Sequence, residues 1–259
     1  MYHSRFKGSH YESGYKWSKS VLKNKEKITD CHTFKITKER KDFAKECISV
    51  YKKYFPEILD EIKGIADGQK ISYEDLYTFL FSMYCFEFEN KCTCFAVKKD
   101  DEIIFGRNSD FLTEIEKLYD SCYYKLEDCY SFIGNTTAFV EMEDGVNEYG
   151  LAAGLTFVYS KIRKAGLNAG MLEGIDDWNS EERYRTAYEA LKENKNNCSF
   201  EFAVNLLSGK YGFMCQYDRK KGADTVWSSI YILNENKIYR AEGNPSRKKF
   251  REDKRLKFK

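Results

Sequence analysis

The chain has 259 residues, with 43 Lys and Arg against 41 Asp and Glu, a formal charge of +2 that removes any global electrostatic case for a nucleic-acid partner. Hydrophobic residues at 42% and aromatics at 16% are enough for a packed core, so the composition is that of a globular α/β or α+β body and not of a disordered chain. No apolar run approaches the ~20 residues that cross a bilayer, and Met1 to Lys27 holds no apolar signal-peptide core, so a cytoplasmic location without membrane contact is expected.

From Thr37 to Ala66 the apolar residues Phe43, Cys47, Val50, Tyr51 and Tyr54 recur at helical steps. Pro56 interrupts this helix, and Gly64 and Gly68 read as stops. Ser72 is an N-cap, with Asp75 three residues on, for a helix turning Leu76, Phe79, Leu80 and Met83 inward. Cys92–Val97 and Glu102–Gly106 then read as a hairpin over the polar turn Lys98–Asp101. Ala138–Met142 and Leu151–Val158 read as a second strand pair, turned through Asp144-Gly145 and Asn147. Two helices follow, one starting near Asn179 and Ser180 with Glu182 completing a capping box, the other running from Ser199 to Gly209. Thr225–Leu233 and Lys237–Glu242 form a last hairpin. Helices, hairpins, helices and a hairpin in that order predict an α+β fold with antiparallel sheet, in a single domain over 1–259. The tail Pro245–Lys259 holds eight Lys and Arg in fifteen residues. It reads as a solvated edge or as an anion site for a phosphorylated or carboxylated ligand.

Nine Cys without a Cys-x-x-Cys pair read as free thiols in a reducing compartment. The three His, at 3, 10 and 32, show no metal-ligand spacing, and no phosphate loop or Gly-x-Ser-x-Gly elbow is present, so no cofactor or metal is expected. What remains is Cys92-Thr93-Cys94-Phe95-Ala96-Val97, followed by Gly106-Arg107-Asn108-Ser109-Asp110-Phe111. A hairpin between them would return Arg107 and Asp110 beside Cys92, and an adjacent cation raises the thiolate fraction of a thiol. The alternative from pattern alone is a structural Cys with a surface Arg–Asp pair.

Several segments together resemble the acyl-coenzyme A:6-aminopenicillanic-acid acyltransferase family, relatives of the choloylglycine hydrolases among the N-terminal-nucleophile hydrolases. They are Arg5-Phe6-Lys7-Gly8-Ser9-His10-Tyr11-Glu12, Cys92–Ala96, Gly106–Phe111, Asp144–Ala152, Ser180–Tyr184, Thr225–Ser229 and Glu242–Pro245. The resemblance implies a four-layer αββα sandwich of two mostly antiparallel sheets, with the helices Thr37–Met83 covering one face. It also implies a precursor that cuts itself before Cys92, leaving a helical segment 1–91 and a catalytic chain 92–259. The new α-amino group, with an ordinary pKa of ~7.7–8.0, would take the proton of its own thiol, so no His is required. In that scheme Asp110 orients the ammonium, Arg107 sits beside the sulfur, the Asn147 backbone N–H donates to the oxyanion, and Arg183 completes the charge network or binds a substrate carboxylate. The implied reaction is acyl transfer from a linear amide to water or an amine. Penicillin-type, N-acyl amino acid, bile-salt-like and peptide-like amides all fit. A small-molecule amide and acyl-coenzyme A are the implied partners, with a homo-oligomer left open. The rival is an uncleaved, inactive scaffold or binding protein of the same fold. Lys91 departs from the small residue expected before the scissile bond.

Between Leu172 and Asn179 only Glu173–Trp178 bridges two motifs where the resemblance implies a helix and several strands, on the order of 70–90 residues at ordinary element lengths. That block ordinarily carries an Asn that is the second oxyanion donor, and neither Asn168 nor Asn179 replaces it by spacing. A continuous chain would leave open sheet edges and low activity. The intact flanking motifs favour a missing block, which would set the Leu172 and Glu173 Cα atoms well beyond the usual ~3.8 Å.

Overall fold

The computed structural model describes residues 1–24, 28, 35–86, 92–138, 141–156, 179–195 and 197–258. The chain opens with β1 (Tyr2–Gly8) and α1 (His10–Lys23), then runs through α2 (Lys38–Tyr54), α3 (Pro56–Gln69) and α4 (Tyr73–Phe86). Strands β2 (Thr93–Lys99), β3 (Glu102–Leu112), β4 (Asp120–Leu126), β5 (Phe132–Ala138), β6 (Glu141–Asn147) and β7 (Ala152–Gly154) follow. Helices α5 (Ser180–Glu193) and α6 (Phe200–Leu207) precede β8 (Ala223–Ile232), β9 (Lys237–Ala241) and β10 (Arg251–Glu252).

Local chemistry accounts for several of these boundaries. Ser9, Thr37 and Ser199 cap α1, α2 and α6 by accepting from the N–H three residues on. Ser72 does the same for Asp75 ahead of α4. Pro56 stands at the first turn of α3, where its missing N–H costs nothing. Gly64 and Gly68, expected as stops, lie inside α3, which ends at left-handed Lys70. Their small size serves packing instead: a Cβ on Gly64 would stand 2.1 Å from the Tyr11 carbonyl oxygen, and one on Gly14 would stand 2.1 Å from that of Glu61. The backbones of α1 and α3 therefore touch. Asn179 precedes α5 in the left-handed region with no side-chain cap bond, so the capping expected there does not include it.

Among the described residues two five-stranded sheets form, in the orders β1-β4-β5-β6-β7 and β10-β9-β8-β3-β2. Every pair among these strands is antiparallel except β1 with β4. One apolar cluster joins Trp17, Ile62, Ile65, Leu76, Phe79 and Met83 of the N-terminal helices to Phe6, Cys122, Tyr124 and Leu126 of the first sheet. A second joins Ala187, Phe202, Leu206 and Leu207 of α5 and α6 to Phe95, Ile104, Ile230 and Ile232 of the second sheet. A third, with Phe105, Tyr123, Ile133, Val146, Tyr231 and Ile238, lies between the sheets. The layers are helix, sheet, sheet, helix, an α+β sandwich of the expected kind.

The second expected strand pair needs correction. Asp144 and Gly145 are not a turn; they sit inside β6, paired to Asn135 and Gly134. The turn follows Asn147, whose side-chain oxygen accepts from the N–H groups of Tyr149 and Leu151. The tail is not simply a solvated edge either: β10 pairs with β9, and Asp253 and Leu256 are buried. The junction Leu172–Glu173 lies outside the described residues.

Candidate functional site

Cys92 stands just ahead of β2, an edge strand. Thr93 pairs with Asn108 and Cys94 with Arg107, so strand alternation puts Cys92 on the inter-sheet face with Arg107 and Thr93 on the opposite face. Arg107 has no exposed surface. Its Nη2 donates to Cys92 Sγ at 2.8 Å and to Glu143 Oε2 at 2.8 Å, and its Nε donates to the Leu155 carbonyl at 3.2 Å. Its Nη1 lies 3.5 Å from Asp144 Oδ2. Two consecutive residues of β6 reach one guanidinium because the strand bulges: Thr136 pairs with Met142 and Asn135 with Asp144, which leaves Glu143 extra. Ser109 Oγ donates to the same Glu143 oxygen at 3.0 Å.

Asp110 occupies the other face of β3. Its Oδ2 accepts from Arg183 Nη1 at 2.8 Å and its Oδ1 from Thr225 Oγ1 at 2.5 Å. The same Arg183 nitrogen donates to Thr93 Oγ1 at 2.8 Å, which ties α5 to the residue after Cys92. A slip in the β3–β8 register between Ser109 and Asp110 turns Thr225 towards Asp110 while Val226 and Trp227 both join the core. Asn108 holds β3 to the second helical layer through the carbonyls of Leu207 and Met214.

The electrostatics follow from this burial. Desolvation pushes the Cys92 thiol up to about 12, against the opposing pull of Arg107, while Glu143 and Asp110 add to the rise. Burial works against the Arg107 charge, yet Cys92, Glu143 and Asp144 outweigh it and raise its pKa. Asp110 is lifted to about 6 by burial, although Arg183 and the Thr225 hydroxyl favour its ionised form. The sulfur is therefore a thiol at neutral pH and needs a base before it can attack. His10 is engaged by Glu61 at 3.0 Å and His3 lies against Glu242 and Asp253, while His32 lies outside the described residues.

Four of the five residues singled out in the sequence thus meet: Cys92 with Arg107, and Asp110 with Arg183. Arg183 is buried and its guanidinium turns inward to Asp110. Asn147 does not join them. Its N–H donates to the Leu151 carbonyl at 2.9 Å, and it stands four residues along β6 from Glu143, ~13 Å at ordinary strand rise. Glu143 and the Leu155 carbonyl, both on Arg107, were not singled out; the Asp144-Gly145 turn signal masked the bulge that places them. Beside Glu143 and Leu155 a groove of about 500 Å³ runs along β5, β6 and β7, lined by Tyr130, Phe132, Met142, Val146 and Leu151. Among the described residues no group of three or more His, Cys, Asp or Glu could hold a metal ion, and no helix is long and apolar enough to cross a membrane.

Two mostly antiparallel sheets thus lie between helical layers, with a Cys just ahead of an edge strand against a buried Arg. Residues 97–173 match the family model of acyl-coenzyme A:6-aminopenicillanic acid acyl-transferase, the family that the motifs resemble. The match takes in Arg107, Asp110 and Glu143 and ends at Glu173; Cys92 and Arg183 lie outside it. No curated protein matched the chain.

Proposed function

We propose that the chain is an N-terminal-cysteine amidohydrolase or acyltransferase acting on linear amide C–N bonds, made as a precursor cut between Lys91 and Cys92 into 1–91 and 92–259. The observation that carries this reading is the contact of Arg107 with Cys92 Sγ, with Asp110, Arg183 and Thr93 gathered on the other face of the same strand ends. In the cut, the Cys92 sulfur attacks the Lys91 carbonyl and the peptide nitrogen leaves as an amine. Water then hydrolyses the resulting thioester, freeing the Lys91 carboxylate and the Cys92 thiol. The new α-amino group removes the thiol proton in each later turnover, which supplies the base that the buried thiol lacks. Asp110 orients the ammonium, Arg183 holds Asp110, and Arg107, fixed by Glu143, stands beside the sulfur. Asn147 has no part in this scheme. The groove beside Glu143 suits an apolar acyl group.

The rival reading, an uncleaved scaffold, draws support from the raised thiol pKa and from the removal of Asn147 as an oxyanion donor. Intact-protein mass separates the two. The enzyme reading expects two fragments divided before Cys92, and only full-length chain for Cys92→Ala. Full-length chain in both proteins would sink it.

A further inference from the structure

A second cleft, of about 630 Å³, lies between β9 and the C-terminal tail. Arg240, Lys248, Lys249, Arg251, Lys254 and Arg255 line it, against the carboxylates of Glu242 and Glu252. Much of the acid nearby is already committed. Glu242 pairs with Arg255 at 2.5 Å, and buried Asp253 pairs with Arg240 at 2.7 Å and Arg255 at 3.0 Å. Lys248, Lys249, Arg251 and Lys254 are exposed and pair with no carboxylate among the described residues.

Two features distinguish this wall from an ordinary solvated edge. Arg240 on β9 stands directly opposite Arg251 on β10, and like charges facing one another across an antiparallel pair repel. Arg240 is also only 3% exposed, with Nε on Asp253 and Nη1 on Asn135, yet its Nη2 is buried with no hydrogen-bond partner. A buried guanidinium N–H without an acceptor is costly, and an anion in the cleft would satisfy it while offsetting the facing pair.

We propose that this cleft binds a small phosphorylated ligand carrying at least two negative charges, with Arg240 and Arg251 as its inner contacts and Lys248, Lys249 and Lys254 around its mouth. Arg forks match phosphate oxygens bidentately and Lys adds point charge, a mixture suited to a tetrahedral anion. The volume is that of a small-molecule site, and a chain of net charge +2 has no field for a long polyanion. The proposal goes beyond the thiol chemistry and stands whether or not the chain is cut at Cys92.

Isothermal titration calorimetry of the full chain with inorganic pyrophosphate, at fixed ionic strength, tests it. Saturable one-to-one binding is expected, weakened at least tenfold by Lys249→Glu with Arg251→Glu, and likewise by Lys254→Glu with Arg251→Glu. Both residues of each pair are exposed, so the fold should survive, which circular dichroism checks. Lys53→Glu on α2 should leave binding unchanged. Absence of saturable binding, or a loss as large in Lys53→Glu as in the cleft variants, overturns the proposal.

Discussion

Arg107 has no exposed surface, yet it meets two carboxylates, a carbonyl and a thiol. Taking a guanidinium out of water is expensive, and the opposing charges of Glu143 and Asp144 are what make its burial tolerable. The reverse also holds: without the cation, two carboxylates would be left buried against each other. Asp144 is further held by the Tyr231 hydroxyl at 2.8 Å and by the Asn135 amide, so it cannot swing out to solvent. Arg107→Ala is therefore expected to lose about 3–5 kcal/mol of stability, the usual cost of breaking a buried ion pair. Arg107→Lys, which keeps the charge but not the fork, should lose less. Urea unfolding of both variants measures this. A loss below about 1 kcal/mol for Arg107→Ala would show that Glu143 and Asp144 do not depend on the guanidinium.

Among the elements, α1 and α3 are joined through backbone rather than through long side chains. Helix propensity alone favours Ala over Gly by about 1 kcal/mol, so Gly64→Ala would stabilise an isolated α3. The contact decides otherwise. The new methyl would sit 2.1 Å from the Tyr11 carbonyl oxygen and 2.9 Å from the Tyr15 nitrogen, and neither backbone atom can rotate away. Overpacking of this sort costs about 1–3 kcal/mol, so a net fall in melting temperature is expected by circular dichroism; an unchanged or raised midpoint would mean the helices can slide apart. The same contact explains a limit of sequence reading. Gly64 and Gly68 look like stops because Gly is a poor helix former, and only the partner helix reveals why they are there. Elements with their own caps, such as those after Ser72 and Ser199, were legible, as was the β8–β9 hairpin. Strands β1, β4 and β5 were not, because their pairing is non-local: Asp120 on β4 is recognised by Ser4 of β1 and Trp17 of α1, over a hundred residues away. Helix α1 went unread although Ser9 supplies it with a local cap. At the site, the pattern expected Arg107 and Asp110 beside Cys92; Arg107 contacts the sulfur, while Asp110 pairs with Arg183 on the other face of β3. The register shift that brings in Glu143 and leaves Asn147 behind is invisible without the strand pairing.

The placement of the bond before Cys92 has a consequence for the whole molecule. Residues 1–91 would contribute β1 and α1 to α4, and these are not an independent unit. Strand β1 is paired along its whole length, Tyr2 to Gly8, with β4 from Asp120 to Leu126. Trp17, Ile62, Ile65, Leu76, Phe79 and Met83 from one side of the bond share a single core with Phe111, Cys122, Tyr124 and Trp227 from the other. Asp120 adds polar locks, accepting from the Ser4 N–H at 3.1 Å, the Ser4 hydroxyl at 2.5 Å and the Trp17 indole at 3.1 Å. Burying each large apolar side chain is worth ~1.5–3 kcal/mol, so the ten named here, at ~15–30 kcal/mol together, match or exceed the ~4–15 kcal/mol that association of two chains costs. Cutting one peptide bond then removes connectivity but not cohesion. On the proposed processing, the two fragments are expected to elute together from a size-exclusion column in native buffer, at the volume of the uncut Cys92→Ala chain, and to separate only in denaturant. Fragments that part in native buffer would mean that the first helical layer is held by the chain and not by its packing, and would remove the basis for treating 1–91 and 92–259 as one working body.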